Sequence, residues 1–199
     1  MSKKETILNV AEQYFAEHGY TLSRLDHIAK ECDITKPAIY YHFKNKASLY
    51  EEVLLKSFSQ LSKYIEIDTN GDNPIENLEK YITILGDYFI KHPYFASIFS
   101  REIAKNGDTL PKSSIKELSK ILNRLHAILL DGKKRDIFSC ENPFMMQVMI
   151  VGTLTSYMTT DKLRKKVYTE LYDKEETLNP KIENISKKLS EKIIKALLC

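Results

Sequence analysis

At 199 residues, 43% hydrophobic and 29% charged, the chain has an ordinary globular composition, with apolar material for one domain or two small ones. Six glycines and six prolines are too few for a chain of many tight turns, so long helices and few loops are expected. A net charge of +3 and a pI near 8.5 permit nucleic-acid binding without arguing for it, since a strong footprint shows a domain pI above about 9. Cys32, Cys140 and Cys199 are odd in number and far apart, which reads as free thiols in a reducing compartment, inert or redox-sensing. The first fifteen residues lack the apolar run and cleavage site of a secretory signal. The most apolar stretch, 144–158, falls short of the ~18 apolar residues of a membrane span. A cytoplasmic protein, away from any membrane, is expected.

In chain order, Ile7, Val10, Ala11, Tyr14 and Phe15 recur as one helical stripe, closed by Gly19 as a left-handed terminator. Ser23, with Asp26 three residues on, reads as the cap of a short second helix burying Leu25, Ile28, Ala29 and Cys32. Asp33 breaks it, because Asp tolerates left-handed backbone. Thr35 caps a third helix with Pro37 in its first turn, ending near Phe43. Two short helices joined by a turn of about three or four residues, behind a longer helix, make a helix-turn-helix. A fourth helix runs from Asn45 to about Glu66 on Leu49, Val53, Phe58, Leu61 and Ile65. A loop at 68–74 follows, then helices near 75–91, 94–105 and 113–130, the last ending at Asp131-Gly132. Residues 143–168 read as one long helix, apolar on most sides to Met158 and so buried. Asn179-Pro180 open a last helix striped by Ile182, Ile185, Leu189, Ile193 and Leu197. The fold class is all-α, about nine helices.

The third helix has an unusual solvent side. Ile39 and Phe43, four apart, face inward, leaving Lys36, Pro37, Ala38, Tyr40, Tyr41 and His42 outside. In a major groove, Lys36 suits a guanine edge or phosphate, and Pro37 and Ala38 let the backbone approach a thymine methyl. Tyr40, Tyr41 and His42 suit phosphate oxygens, which set register without reading sequence. Lys44 and Lys46 follow, no acidic residue interrupts positions 34–50, and the fourth helix offers N-terminal amide donors. The competing reading of the Tyr-Tyr-His-Phe cluster is plain core packing.

The frame Ile7…Ala11…Phe15…Gly19-Tyr20…Ile28-Ala29…Ile34-Thr35-Lys36-Pro37…Ile39-Tyr40-Tyr41-His42-Phe43-Lys44-Asn45-Lys46…Leu49 resembles the N-terminal domain of TetR-family regulators. Asp33 stands where that family usually has Gly, Cys32 where Ala is usual, and Ser23-Arg24 where Thr-Thr is frequent. The resemblance implies DNA contacts at Ser23, Arg24, Thr35, Lys36, Pro37, Ala38, Tyr40, Tyr41, His42 and Lys46. It implies a DNA-binding domain over 1–47 and a helical ligand-binding and dimerisation domain over 48–199. The segment His92-Pro93…Phe99…Arg101-Glu102 also resembles that second domain. For a small-molecule effector it suggests Tyr88, Phe89, Phe95, Phe99, His126, Met145, Met149 and Tyr157, residue types that equally make ordinary core.

Phe144, Val148, Val151, Gly152, Thr155 and the last helix's stripe exceed what one bundle needs to bury, so an isologous homodimer is expected. Two heads would then meet successive major-groove faces about 34–36 Å apart. An effector favouring another spacing would shift the population away from the binding-competent state, and the resemblance then implies a repressor released from a palindromic operator by its ligand. A ligand-independent or activating regulator of the same fold is the alternative. No catalytic motif, paired metal-ligand spacing or cofactor signature occurs, so no enzyme, metal or cofactor is expected. A non-DNA helical adaptor and an all-helical enzyme are the readings from other classes.

Overall fold

The computed structural model describes residues 2–139, 142–171 and 182–198. They form ten helices: α1 (Lys3–Leu22), α2 (Leu25–Glu31), α3 (Lys36–His42), α4 (Lys46–Asp68), α5 (Pro74–Lys91), α6 (Pro93–Ala104), α7 (Lys112–Lys134), α8 (Pro143–Thr159), α9 (Asp161–Leu171) and α10 (Ile182–Leu197). The expected all-α class holds. Among the described residues, extended pairing is limited to one isolated bridge, Phe138 with Leu198. The described residues pack as two compact units, one within 1–60 and 94–118, the other within 61–93 and 119–199. The boundary between units falls within α4 and α7, whereas the expected domain line at 47/48 crosses the first turn of α4.

In the first unit, α1 opens on a reciprocal capping box: Glu5 N–H donates to Ser2 Oγ (3.2 Å) and Ser2 N–H to Glu5 Oε2 (2.8 Å). Its buried face is Ile7, Leu8, Ala11, Phe15 and Ala16, while Val10 and Tyr14 are half-buried flanks. The stripe is thus rotated toward Leu8 from the expected one. At Gly19 (φ 74, ψ 164) α1 breaks its regular backbone, in a region open almost only to glycine. Asp33 (φ 52) ends α2 as expected. Asp33 N–H bonds the Lys30 carbonyl (3.1 Å) and Ile34 N–H the Ala29 carbonyl (3.0 Å), the paired bonds of a Schellman motif. Beyond the turn, α4 starts with its own exchange, Ser48 N–H to Asn45 Oδ1 (2.8 Å) and Asn45 N–H to Ser48 Oγ (3.0 Å). The core centres on Ile7, Ala11, Phe15, Ile28, Ile39, Phe43, Leu49, Val53 and Phe58. The Phe58 ring meets Phe95 (5.0 Å) and Phe99 (5.2 Å) edge-on, which locks α6 onto α4.

In the second unit α10 lies chiefly along α5, and α8 lies against both. Gly86 makes the α5–α10 approach possible: a Cβ there would stand 1.8 Å from Ser186 Oγ. Tyr81 is fully buried, donates to Gln147 Oε1 (2.6 Å), and has its phenol held un-ionised by burial. Arg124 closes the C-terminus of α4 by donating to the Thr69 hydroxyl (2.8 Å) and carbonyl, a cation where the helix dipole favours one.

Three expected boundaries are corrected. α7 continues past Asp131-Gly132 to Lys134. Gly132 serves close packing, since a Cβ there would meet the Phe138 ring at 2.0 Å, and the left-handed terminator is Asp136 (φ 54). The helix expected over 143–168 is two, divided at Thr160. The hydroxyls of Thr153, Thr159 and Thr160 bond back to carbonyls four residues earlier, a habit that bends helices, and Arg164 captures the Tyr157 carbonyl at the break. Ser23 does not cap α2, whose N-cap is Arg24 without a side-chain bond. Asn179 and Pro180, expected to open α10, lie outside the described residues, as do Cys140 and Cys199. Cys32 is half-buried with its thiol pushed up by desolvation, which lowers its thiolate fraction.

Candidate nucleic-acid interface

α3 is only seven residues long, so its position is set by anchors. Ile39 is fully buried and Phe43, just past its end, is 2% exposed. On the opposite side Tyr41 is 86% and Tyr40 48% exposed, and the Tyr41 ring meets His42 edge-on at 5.0 Å. Large aromatics that stand in water while their helical neighbours are buried are not core. The packing reading of the Tyr-Tyr-His-Phe cluster therefore holds for Phe43 alone.

Thr35 occupies the N-cap position but makes no side-chain capping bond; Thr35 and Pro37 are exposed and Ala38 is half-buried. Lys36 Nζ pairs with Asp26 Oδ2 at 3.0 Å, both side chains largely in solvent. The hydrogen bond lowers the Asp26 carboxyl below its ordinary value and raises the Lys36 ammonium above its own. Water screens such a pair, so a phosphate or base edge can replace Asp26 as acceptor. Arg24 and Lys44 are exposed cations with no carboxylate partner among the described residues.

Two expected contacts are placed differently. Ser23 is 1% exposed, and its hydroxyl donates to the Gly19 carbonyl (2.8 Å) with the Tyr14 carbonyl at 3.2 Å, so it is spent inside the fold. Lys46 Nζ faces the carbonyls of Tyr20 (2.8 Å), Ser23 (3.1 Å) and Thr21 (3.3 Å), which uses all three ammonium hydrogens. Lys44, two residues before it, is exposed.

The eight suggested effector residues are divided between the two units. Phe95 and Phe99 pack on Phe58 in the first unit. Tyr88 and Phe89 are buried in the second, where Tyr88 stacks on His92 at 4.2 Å. His126 is exposed, Met145 and Met149 stand 56% and 40% in solvent, and Tyr157 lies under the Arg164 guanidinium at 3.9 Å. No cluster of His, Cys, Asp and Glu fit for a metal, and no helix long and apolar enough to cross a membrane, occurs among the described residues.

Residues 7–53 match the model of bacterial regulatory proteins of the tetR family, and residues 74–186 match the tetracyclin repressor-like C-terminal domain. Among curated relatives, the uncharacterized HTH-type transcriptional regulator YuxN of Bacillus subtilis is 26% identical over 73% of this chain and 51% of its own, so the match spans only about half of YuxN. The HTH-type transcriptional repressor NicS of Pseudomonas putida is 24% identical over 86% of this chain and 84% of its own. Among solved structures, PfmR, a TetR family transcriptional regulator from Thermus thermophilus, superposes with a TM-score of 0.77 at 18% identity, covering 98% and 97% of the two chains. FadR from Bacillus subtilis, solved in complex with stearoyl-CoA, gives 0.73 at 22% identity over 96% and 97%. With both family models matched in order, over a helix-turn-helix whose α3 presents its tyrosines outward, this chain belongs to the TetR family of helix-turn-helix transcriptional regulators.

Proposed function

We propose that the chain is a cytoplasmic, homodimeric repressor that holds a palindromic operator through α3 and releases it on binding a small molecule. The observation that carries the DNA side is Tyr41, 86% exposed on a helix whose Ile39 is fully buried. In this reading Lys36, Pro37 and Ala38 face base edges, while Arg24, Thr35, Tyr40, Tyr41, His42 and Lys44 grip phosphates. The dimer is supported by α8, where Phe144 (67%), Val148 (71%) and Met145 (56%) form an exposed apolar strip beside Gly152, which has no atom near its Cβ position. A second copy would cover that strip about a two-fold axis. Effector release is supported by the likeness to FadR, solved in complex with stearoyl-CoA; the effector of this chain is a separate question. No catalytic role is assigned.

Selection of fragments from random duplex DNA tests the core of this reading. A palindromic consensus with half-sites about one helical turn apart, or a multiple, is expected. No enrichment over scrambled DNA would leave a helical adaptor as the better reading.

A further inference from the structure

At Gly19 α1 leaves helical backbone, and backbone carbonyls on both sides of the break are turned to side chains. Two cations from distant helices collect them. Arg101 on α6 donates through Nη2 to the Ala16 (3.3 Å) and Glu17 (3.4 Å) carbonyls, with Nη1 3.6 Å from the Cβ position at Gly19. Lys46, the first residue of α4, takes the Tyr20, Thr21 and Ser23 carbonyls and lies 4.4 Å over the Tyr20 ring. The Tyr20 ring leans on Tyr50 (4.8 Å), whose hydroxyl donates to Glu102 Oε1 at 2.6 Å. Glu102, beside Arg101 and 1% exposed, also accepts from the Thr109 hydroxyl (2.6 Å to Oε2). The link from α1 to α2 is therefore held from outside, by α4 and α6. α2 starts at Leu25, two residues past the last clamped carbonyl, and α3 packs on α2.

We propose that Lys46 and Arg101, together with the Tyr50–Glu102 hydrogen bond that ties α4 to α6, are positioning residues for DNA recognition: they clasp the broken end of α1 and so set where α3 points. Lys46 acts on DNA through the carbonyls it holds, not through a phosphate. This rests on the DNA-binding reading above. It follows from the tolerance of such sites, since a reading helix a few tenths of an ångström or ~10–20° out of place loses its contacts.

The test measures affinity for the selected DNA against salt, far below each variant's melting temperature, together with amide hydrogen exchange over residues 19–25. Lys46→Met and Arg101→Met should each weaken binding at least about tenfold, leave the slope of log K on log salt unchanged, and speed exchange in that segment. Arg101→Lys, which keeps the cation, should recover most of the affinity. Tyr50→Phe, which removes only the hydroxyl held by Glu102, should weaken binding several-fold and serves if a Met variant does not fold. A phosphate contact at Lys46 instead predicts a slope shallower by about 0.9 per head with normal exchange, and that result overturns the proposal for Lys46. Unchanged affinity in Arg101→Met and Tyr50→Phe overturns it for the α6 clasp. If the unsubstituted protein selects no DNA, the DNA reading fails and takes this one with it. If it binds and the variants match it, only the clasp fails.

Discussion

Replacing Tyr41 by alanine separates a DNA-contacting tyrosine from a packing one. The side chain is 86% exposed, and its ring contact is with His42 on the same helix. Truncating it therefore removes little buried area, and the stability change should stay within about 0.5 kcal/mol, as for surface substitutions generally. A hydroxyl that donates to a phosphate oxygen makes a charge-assisted bond, worth about 1.5–3 kcal/mol. That corresponds to roughly a 10- to 150-fold loss of affinity per head, at about 1.4 kcal/mol per factor of ten. The hydroxyl is neutral, so no counterion is released through it and the salt slope should not change. Tyr41→Phe should show most of the loss seen in Tyr41→Ala if the hydroxyl carries the effect. The assay is fluorescence anisotropy on the selected duplex across a salt series, with chemical denaturation alongside. Full affinity in Tyr41→Ala, or a loss matched by a large drop in stability, refutes the reasoning.

Gly86→Ala drives a methyl against Ser186, whose Cβ is 2.9 Å and Oγ 1.8 Å from the new atom. It should cost about 1–3 kcal/mol in denaturant unfolding, recovered largely by adding Ser186→Gly; an unperturbed single variant would mean that α10 does not lie on α5 as described. Val148→Arg, on the 71% exposed strip of α8, should leave the fold intact and abolish association at micromolar concentration by light scattering; an Arg variant that still pairs would move the interface elsewhere. Burial raises the Glu12 carboxyl above its ordinary 4.5, against a lowering by the hydrogen bond from Ser57. Above pH 4.5 and up to the raised value the native state holds more protons than the unfolded one, so stability falls as pH rises through that window. Glu12→Gln should be more stable at neutral pH and flatter across the window; an unchanged pH profile removes Glu12 as its source.

The helix-turn-helix was legible in the sequence because its signals are local. A left-handed Asp33, a proline in the first turn of α3, and the four-residue spacing of Ile39 and Phe43 are decided by backbone sterics and helical period, and all appear where the residues place them. The outward face of α3 follows from the inward one. Tertiary structure alone decided what covers each face and where long side chains end. Lys46 reads as a basic residue near DNA until three carbonyls 23 to 26 residues earlier claim its ammonium. Arg101 meets α1 across 85 residues of sequence. Gly132 passes for a helix stop until the Phe138 ring lies on it, and the aromatic and methionine residues of the suggested pocket divide between two cores and the surface. Periodicity states that a residue faces inward or outward along its own helix. The partner it meets there is set by how helices distant in sequence pack, which no spacing within one helix records.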